Sequence, residues 1–110
     1  RMGDGSVALF DTPSMALDAA ASERSELAAV GLTIRGGVHA GEFEVLDDGD
    51  VRGLAVHLAA RVQAVASPGE VLVTSTVREL LLGGQVRFVD RGRHDLKGIE
   101  DTWQLYALEA

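Results

Sequence analysis

Asp50, His57 and Arg61 stand at a spacing that could do chemistry, within the run from Asp50 to Ala66. The run reads as a loop that becomes a helix, because Leu54, Leu58, Val62 and Val65 recur at helical spacing and form one apolar stripe. His57 and Arg61 fall one turn apart beside that stripe, so a hydrogen-bond donor and a permanent cation point the same way. Such a row suits an anionic ligand; the alternative is the solvated edge of an ordinary amphipathic helix. Lys97 is the only lysine among ten Lys and Arg residues. It precedes Gly98 in a strand-turn context where an ammonium and a bare backbone can approach a ligand together, or it is simply an exposed side chain. Asp4 lies at the tip of Gly3-Asp4-Gly5, a tight hairpin turn before the short apolar strand Ser6–Phe10, or a surface turn and no more.

The elements that must position these residues are legible in outline. Thr12 is a helix cap with Pro13 at the first helical position, and the Ala-rich helix ends before Gly31. Leu32–His39 alternates as a strand, Ala40-Gly41 turns, and Glu42–Leu46 alternates again, which predicts a hairpin between the two. Gly36 and Gly37 inside a strand imply a backbone or helix packed closely there. Asp47-Asp48-Gly49-Asp50 is an acidic loop; it lacks the closing bidentate Glu of a calcium loop. Ser67-Pro68-Gly69 stops the central helix, and Glu70–Thr74 is a strand of the buried type. Thr76 with Glu79 forms a capping box for a short helix ending before Gly83 and Gly84. Val86–Asp90 is a strand, Arg91-Gly92-Arg93-His94 a polar turn, and Trp103–Leu108 a closing strand.

Composition limits the functional classes. The 110 residues are 46% hydrophobic, with one Trp, one Tyr and three Phe, enough for one domain with a core of aliphatic and alanine side chains. A net charge of −7 argues against tracking a nucleic-acid backbone or coating an anionic membrane, although a single anionic ligand needs only a local cluster of cations. Cysteine is absent, which excludes disulfides and thiolate metal sites and suits a cytoplasmic setting. His39, His57 and His94 match no zinc spacing, and His39 and His94 read as structural or exposed. No apolar run approaches the ~20 residues of a membrane span, and no signal-like segment opens the chain. A first residue of Arg1 reads as the mark of a piece of a longer protein.

The order of these motifs is more specific than any one of them. Gly3-Asp4-Gly5, Ile34 to His39 with Gly41-Glu42, Asp50 to Gly53, Val56 to Arg61, Pro68-Gly69-Glu70, Asp90-Arg91-Gly92 and Leu96-Lys97-Gly98 before a final strand together resemble the class III nucleotidyl cyclase catalytic domain. The resemblance covers the chain, 1–110, as the C-terminal part of that domain. It implies an α+β, ferredoxin-like fold with a sheet covered on one face by helices. The opening strand with its metal-binding aspartate, two helices and the strand entering the hairpin at Arg1 are expected to be missing. Because the first strand is central in the family's sheet, the chain is expected to carry an unpaired strand edge and exposed apolar surface.

What the resemblance implies for the site is specific. Asp4 matches the second of two metal-binding aspartates, Asp50 the residue that reads the base, Arg61 the arginine that stabilises the transition state, and Lys97 a lysine that holds the terminal phosphates. His57 falls where the family usually has asparagine, as in some bacterial relatives that also carry histidine. The implied reaction makes cyclic AMP or cyclic GMP: the ribose 3′-hydroxyl attacks the α-phosphate with the help of two Mg²⁺ or Mn²⁺ ions, one of whose ligands lies outside this chain. Charge growing on the phosphates calls for an arginine fork and a lysine point charge. A carboxylate at Asp50 accepts a hydrogen bond from the adenine amino group and repels the guanine carbonyl oxygen, so ATP is expected over GTP. The family also implies a homodimer whose composite sites take the metal aspartates from one protomer and the arginine and base-reading residues from the other. Two further readings are a cyclase-like module without catalysis, serving dimerisation or regulation, and a nucleotide sensor that binds ATP without turning it over.

Overall fold

The computed structural model describes residues 10–109; Asp4 and the hairpin expected around it lie outside that range. Helix α1 (Pro13–Ala28) begins as its sequence dictates: Thr12 Oγ1 accepts the Met15 N–H at 3.2 Å and Pro13 fills the first turn. Strand β1 (Gly36–Val38), strands β2 (Glu44–Val45) and β3 (Val51–Arg52), and helix α2 (Leu54–Ala64) follow. Strand β4 (Val71–Thr74) leads directly into helix α3 (Ser75–Leu80), and strands β5 (Phe88–Asp95) and β6 (Thr102–Leu108) complete the order. The main sheet runs β1-β4-β6-β5, with β1 parallel to β4 and the other pairs antiparallel. Among the described residues, nothing pairs with the other side of β1.

Strand β4 is the keel of the molecule. All four of its residues are buried, as its unbroken apolar run predicts. Val71 and Val73 pack with Leu17 of α1 and Val77 of α3, whereas Leu72 packs with Leu58, Val62 and Ala66 and with Leu105 and Ala107 of β6. Because strand side chains alternate, these clusters lie on opposite faces. Helices therefore cover both faces of the sheet, not one: α2 lies on one side, α1 and α3 on the other. Fully burying each Leu or Val of these clusters stabilises the fold by about 1.5–3 kcal/mol.

Four local expectations are corrected. The expected strand Leu32–His39 shrinks to β1, which joins β4 instead of a hairpin; the hairpin forms one step later, with Glu44 opposite Arg52 and Val45 opposite Val51. The acidic loop is its turn: Gly49 has φ 86°, Asp48 Oδ1 accepts the Asp50 N–H at 2.9 Å, and the Leu46 N–H reaches Asp50 O at 2.7 Å. Arg91–His94 is not a turn between strands but part of β5. A bulge between Asp90 and Arg93 absorbs one extra residue, with Gly92 at φ 81° and the Asp90 carboxylate accepting the Gly92 N–H at 2.7 Å. Thr76 does not cap α3; the N-cap is Thr74, whose hydroxyl is occupied by His39 and makes no cap bond. On α2, Leu58 and Val62 are buried, but Leu54 is 66% exposed and Val65 37% exposed, so the stripe seals the core only in its middle.

Gly37 explains how closely α2 lies on the sheet. A Cβ there would sit 2.5 Å from both Ala59 O and Gln63 N, inside the helix backbone. The close approach inferred from the glycine pair is thus real, and α2 is the element approached. No helix among the described residues is long and apolar enough to cross a membrane.

Candidate active site

Helix α2 carries the row that the sequence singled out. Gly53, at φ 142°, turns the chain out of β3 and leaves its carbonyl to accept the His57 N–H at 3.2 Å. His57 is exposed in the first turn, and Arg61 is half-buried in the last, where a cation also suits the helix dipole. The Arg61 Nε is buried with no hydrogen-bond partner among the described residues. Native proteins leave few buried donors unpaired, because an unmet one costs about 1–3 kcal/mol, more when charged. This orphaned charged donor is what an anionic group would satisfy.

The turn after β5 comes to the same helix from a distance in sequence. Leu96 is buried in the cluster around Leu58, Ile99 packs against that cluster, and the Ile99 N–H closes the turn on Leu96 O at 2.9 Å. Between these anchors Lys97 is exposed and Gly98 has φ 79°. A Cβ on Gly98 would lie 3.6 Å from the His57 Nε2, so the imidazole stands against the bare backbone of this turn. Across the mouth of the β5–β6 hairpin, Arg93 fastens the far side, donating to Thr102 Oγ1 at 2.9 Å and to Thr102 O at 3.0 Å.

Of the sequence-derived candidates, the structure brings the Lys97-Gly98 turn beside His57, with Arg61 one turn further along α2. Asp50 is set apart on the β2–β3 hairpin, exposed, its carboxylate accepting the Val51 N–H at 2.9 Å. An open concavity of about 500 Å³ beside it is lined by Glu44, Val45, Leu46, Asp47 and Asp48 and offers a phosphate no cation. No group of three or more His, Asp or Glu among the described residues could hold a metal ion, so these residues alone do not fit the two-metal site that the resemblance implies.

Two residues behind the turn were not singled out as functional. His39 is half-buried on the α2 side of the sheet, shares a 2.8 Å hydrogen bond through Nδ1 with Thr74 Oγ1, and meets the Trp103 ring edge-on at 5.8 Å between centroids. Burial pushes its pKa below the ordinary histidine value, favouring the neutral ring. The only sequence signal was parity: Trp103 alternates with Leu105 and Ala107 and so shares their face.

Residues 6–110 match the family model described as the adenylate and guanylate cyclase catalytic domain. The chain belongs to this family. The cyclase domain is 34% identical over 109 residues to a Rhizobium meliloti protein named "Putative adenylate cyclase 3", covering 91% of this chain but only 18% of that protein. Among solved structures it is similar to the adenylate/guanylate cyclase/hydrolase from Silicibacter pomeroyi, with 30% identity, a TM-score of 0.80, and coverage of 99% of this chain and 69% of the other. The guanylate cyclase domain of RhGC from Catenaria anguillulae, solved in complex with GTP, shares the fold at 20% identity and a TM-score of 0.75, over 94% of this chain and 62% of its own.

Proposed function

We propose that this cyclase domain belongs to an adenylate cyclase that converts ATP to 3′,5′-cyclic AMP and pyrophosphate in intracellular signalling, within the cytoplasm. The observation that carries the reading is the buried Nε of Arg61, unpartnered among the described residues, on the same helix as His57, which itself stands against the Lys97-Gly98 turn. In this reading the 3′-oxygen forms a bond to the α-phosphorus, the bond from that phosphorus to the bridging oxygen breaks, pyrophosphate leaves, and the 3′-hydroxyl proton is released. Arg61 meets the charge that grows on the transferring phosphoryl oxygens, where a fixed donor is worth most. His57 donates an imidazole N–H beside it, and Lys97 holds the terminal phosphates as a point charge. Asp50 accepts from the adenine amino group and so favours ATP over GTP.

Asp4 would supply one carboxylate toward Mg²⁺ or Mn²⁺, and such ions would supply charge neutralisation and activation of the hydroxyl. The site is composite, formed across a homodimer, so that the exposed Asp50, His57 and Lys97 face a second protomer's nucleotide-binding half.

The test is cyclic nucleotide production by the full native gene product, supplied with ATP or GTP and either metal, beside an Arg61→Ala variant. Cyclic AMP formation that falls about 10²–10³-fold in the variant is the expected result. A folded protein that makes neither cyclic nucleotide would replace the reading with a cyclase-like module serving regulation or nucleotide sensing.

A further inference from the structure

We infer that Trp103 is a positioning residue for the Lys97-Gly98 turn, held in register by His39 and Thr74. The inference rests on the proposed role of Lys97 toward the terminal phosphates. An exposed lysine at the tip of a turn holds phosphates only if the turn itself is fixed, since ordering a free loop and a long side chain at the moment of binding opposes affinity. Two kinds of contact hold the turn. Leu96 and Ile99 anchor its two sides in the core, and Arg93 straps Thr102. Between Ile99 and Thr102 the backbone is irregular: Asp101 adopts φ 65°, a left-handed turn conformation that aspartate takes more readily than most non-glycine residues.

The indole of Trp103 reaches across this segment. Its Nε1–H donates to the Glu100 carbonyl at 3.3 Å, tying the returning limb of the turn to β6. The ring itself packs on the Leu58 cluster that also holds Leu96 and Ile99. On its inner side the ring meets the His39 imidazole at an interplanar angle of 89°, and His39 is bonded to the fully buried Thr74 on the keel strand. A chain of contacts thus runs from β4, through His39 and Trp103, to Glu100 on the returning limb, one residue beyond the Ile99 anchor of the turn that holds Lys97 and Gly98. In this inference the three side chains act through the turn.

The experiment uses the full native gene product with Mg²⁺ and two probes that bind without cyclising, 3′-deoxy-ATP and 3′-deoxy-AMP, measured by calorimetry. Trp103→Phe keeps an aromatic ring against His39 but removes the Nε1–H. It should weaken 3′-deoxy-ATP about three- to ten-fold, the effect of losing one neutral hydrogen bond, and leave 3′-deoxy-AMP unchanged. Lys97→Ala should weaken the triphosphate selectively too, and the double variant should bind no more weakly than Lys97→Ala alone. A general packing role would weaken both probes together. Unchanged triphosphate affinity in Trp103→Phe, or an effect that adds to Lys97→Ala, would overturn the inference. Should Trp103→Phe fail to fold, His39→Phe carries the same comparison with the same expected and overturning results. Wild-type protein that binds the triphosphate yet forms no cyclic product from ATP would sink the proposed reaction while the probe ratios still decide the role of Trp103. Wild-type protein that binds neither probe would overturn both.

Discussion

His39 shows how one side chain can be structural and still leave a solution signature. Its ring is half-buried against Trp103 and bonded to Thr74, and burial lowers its pKa from 6.5. With the folded value below the unfolded one, the unfolded chain binds the proton more readily between the two. The neutral ring's contribution to stability is therefore full above about pH 6.5, declines as pH falls through that value, and levels off below the lowered folded value. Thermal unfolding between pH 5 and pH 8 should show a steeper acid loss of Tm in wild type than in His39→Phe, the difference isolating this group from the carboxylates. Parallel curves would show that the burial of His39 carries no such linkage. Arg61 is the opposite case: its buried Nε has no partner within the described fold, and the proposed function assigns it the phosphate of the nucleotide.

At the scale of elements, the contact between α2 and β1 decides where the site residues stand. The helix backbone occupies the space that a Cβ at Gly37 would need, so Gly37→Ala must push α2 away from the sheet. The expected cost is about 1–3 kcal/mol by overpacking, read as a lower denaturant midpoint with an unchanged m-value. Moving α2 also moves His57 off Gly98, so cyclic nucleotide formation should fall in the fraction that remains folded. The bulge in β5 shows why local chemistry is ambiguous at this scale. A glycine at positive φ with an aspartate bonded two residues ahead serves a turn or a bulge equally well, and only the pairing with β6 separates them.

At the scale of the whole molecule, the sheet of the described residues has β1 at one edge and β5 at the other, and several large apolar side chains, including Phe43, Leu54, Leu80 and Leu82, stand exposed. The exposed edge and apolar surface anticipated from the sequence are present among the described residues. If the active sites are composite, Asp4→Ala and Arg61→Ala variants of the full gene product, each inactive alone, should restore activity on mixing. Random pairing gives heterodimers with one intact site, and a recovery of about a quarter of the wild-type rate is expected. No recovery after subunit exchange would place both residues in one protomer's site.

The sequence alone was sufficient for the ordered set of motifs, the family resemblance they carry, the capped start of α1, the buried keel strand β4 and the row of His57 and Arg61 on α2. Those features are written in local propensity, periodicity and residue type, which neighbours in sequence suffice to determine. Tertiary structure decided the rest: that β1 joins β4 rather than a hairpin, that helices cover both faces, that Leu54 stays outside, and that Gly98 meets a histidine from another element. Each of these depends on which distant surfaces are buried together, and a strand or a glycine turn of given sequence has several acceptable partners until the core selects one.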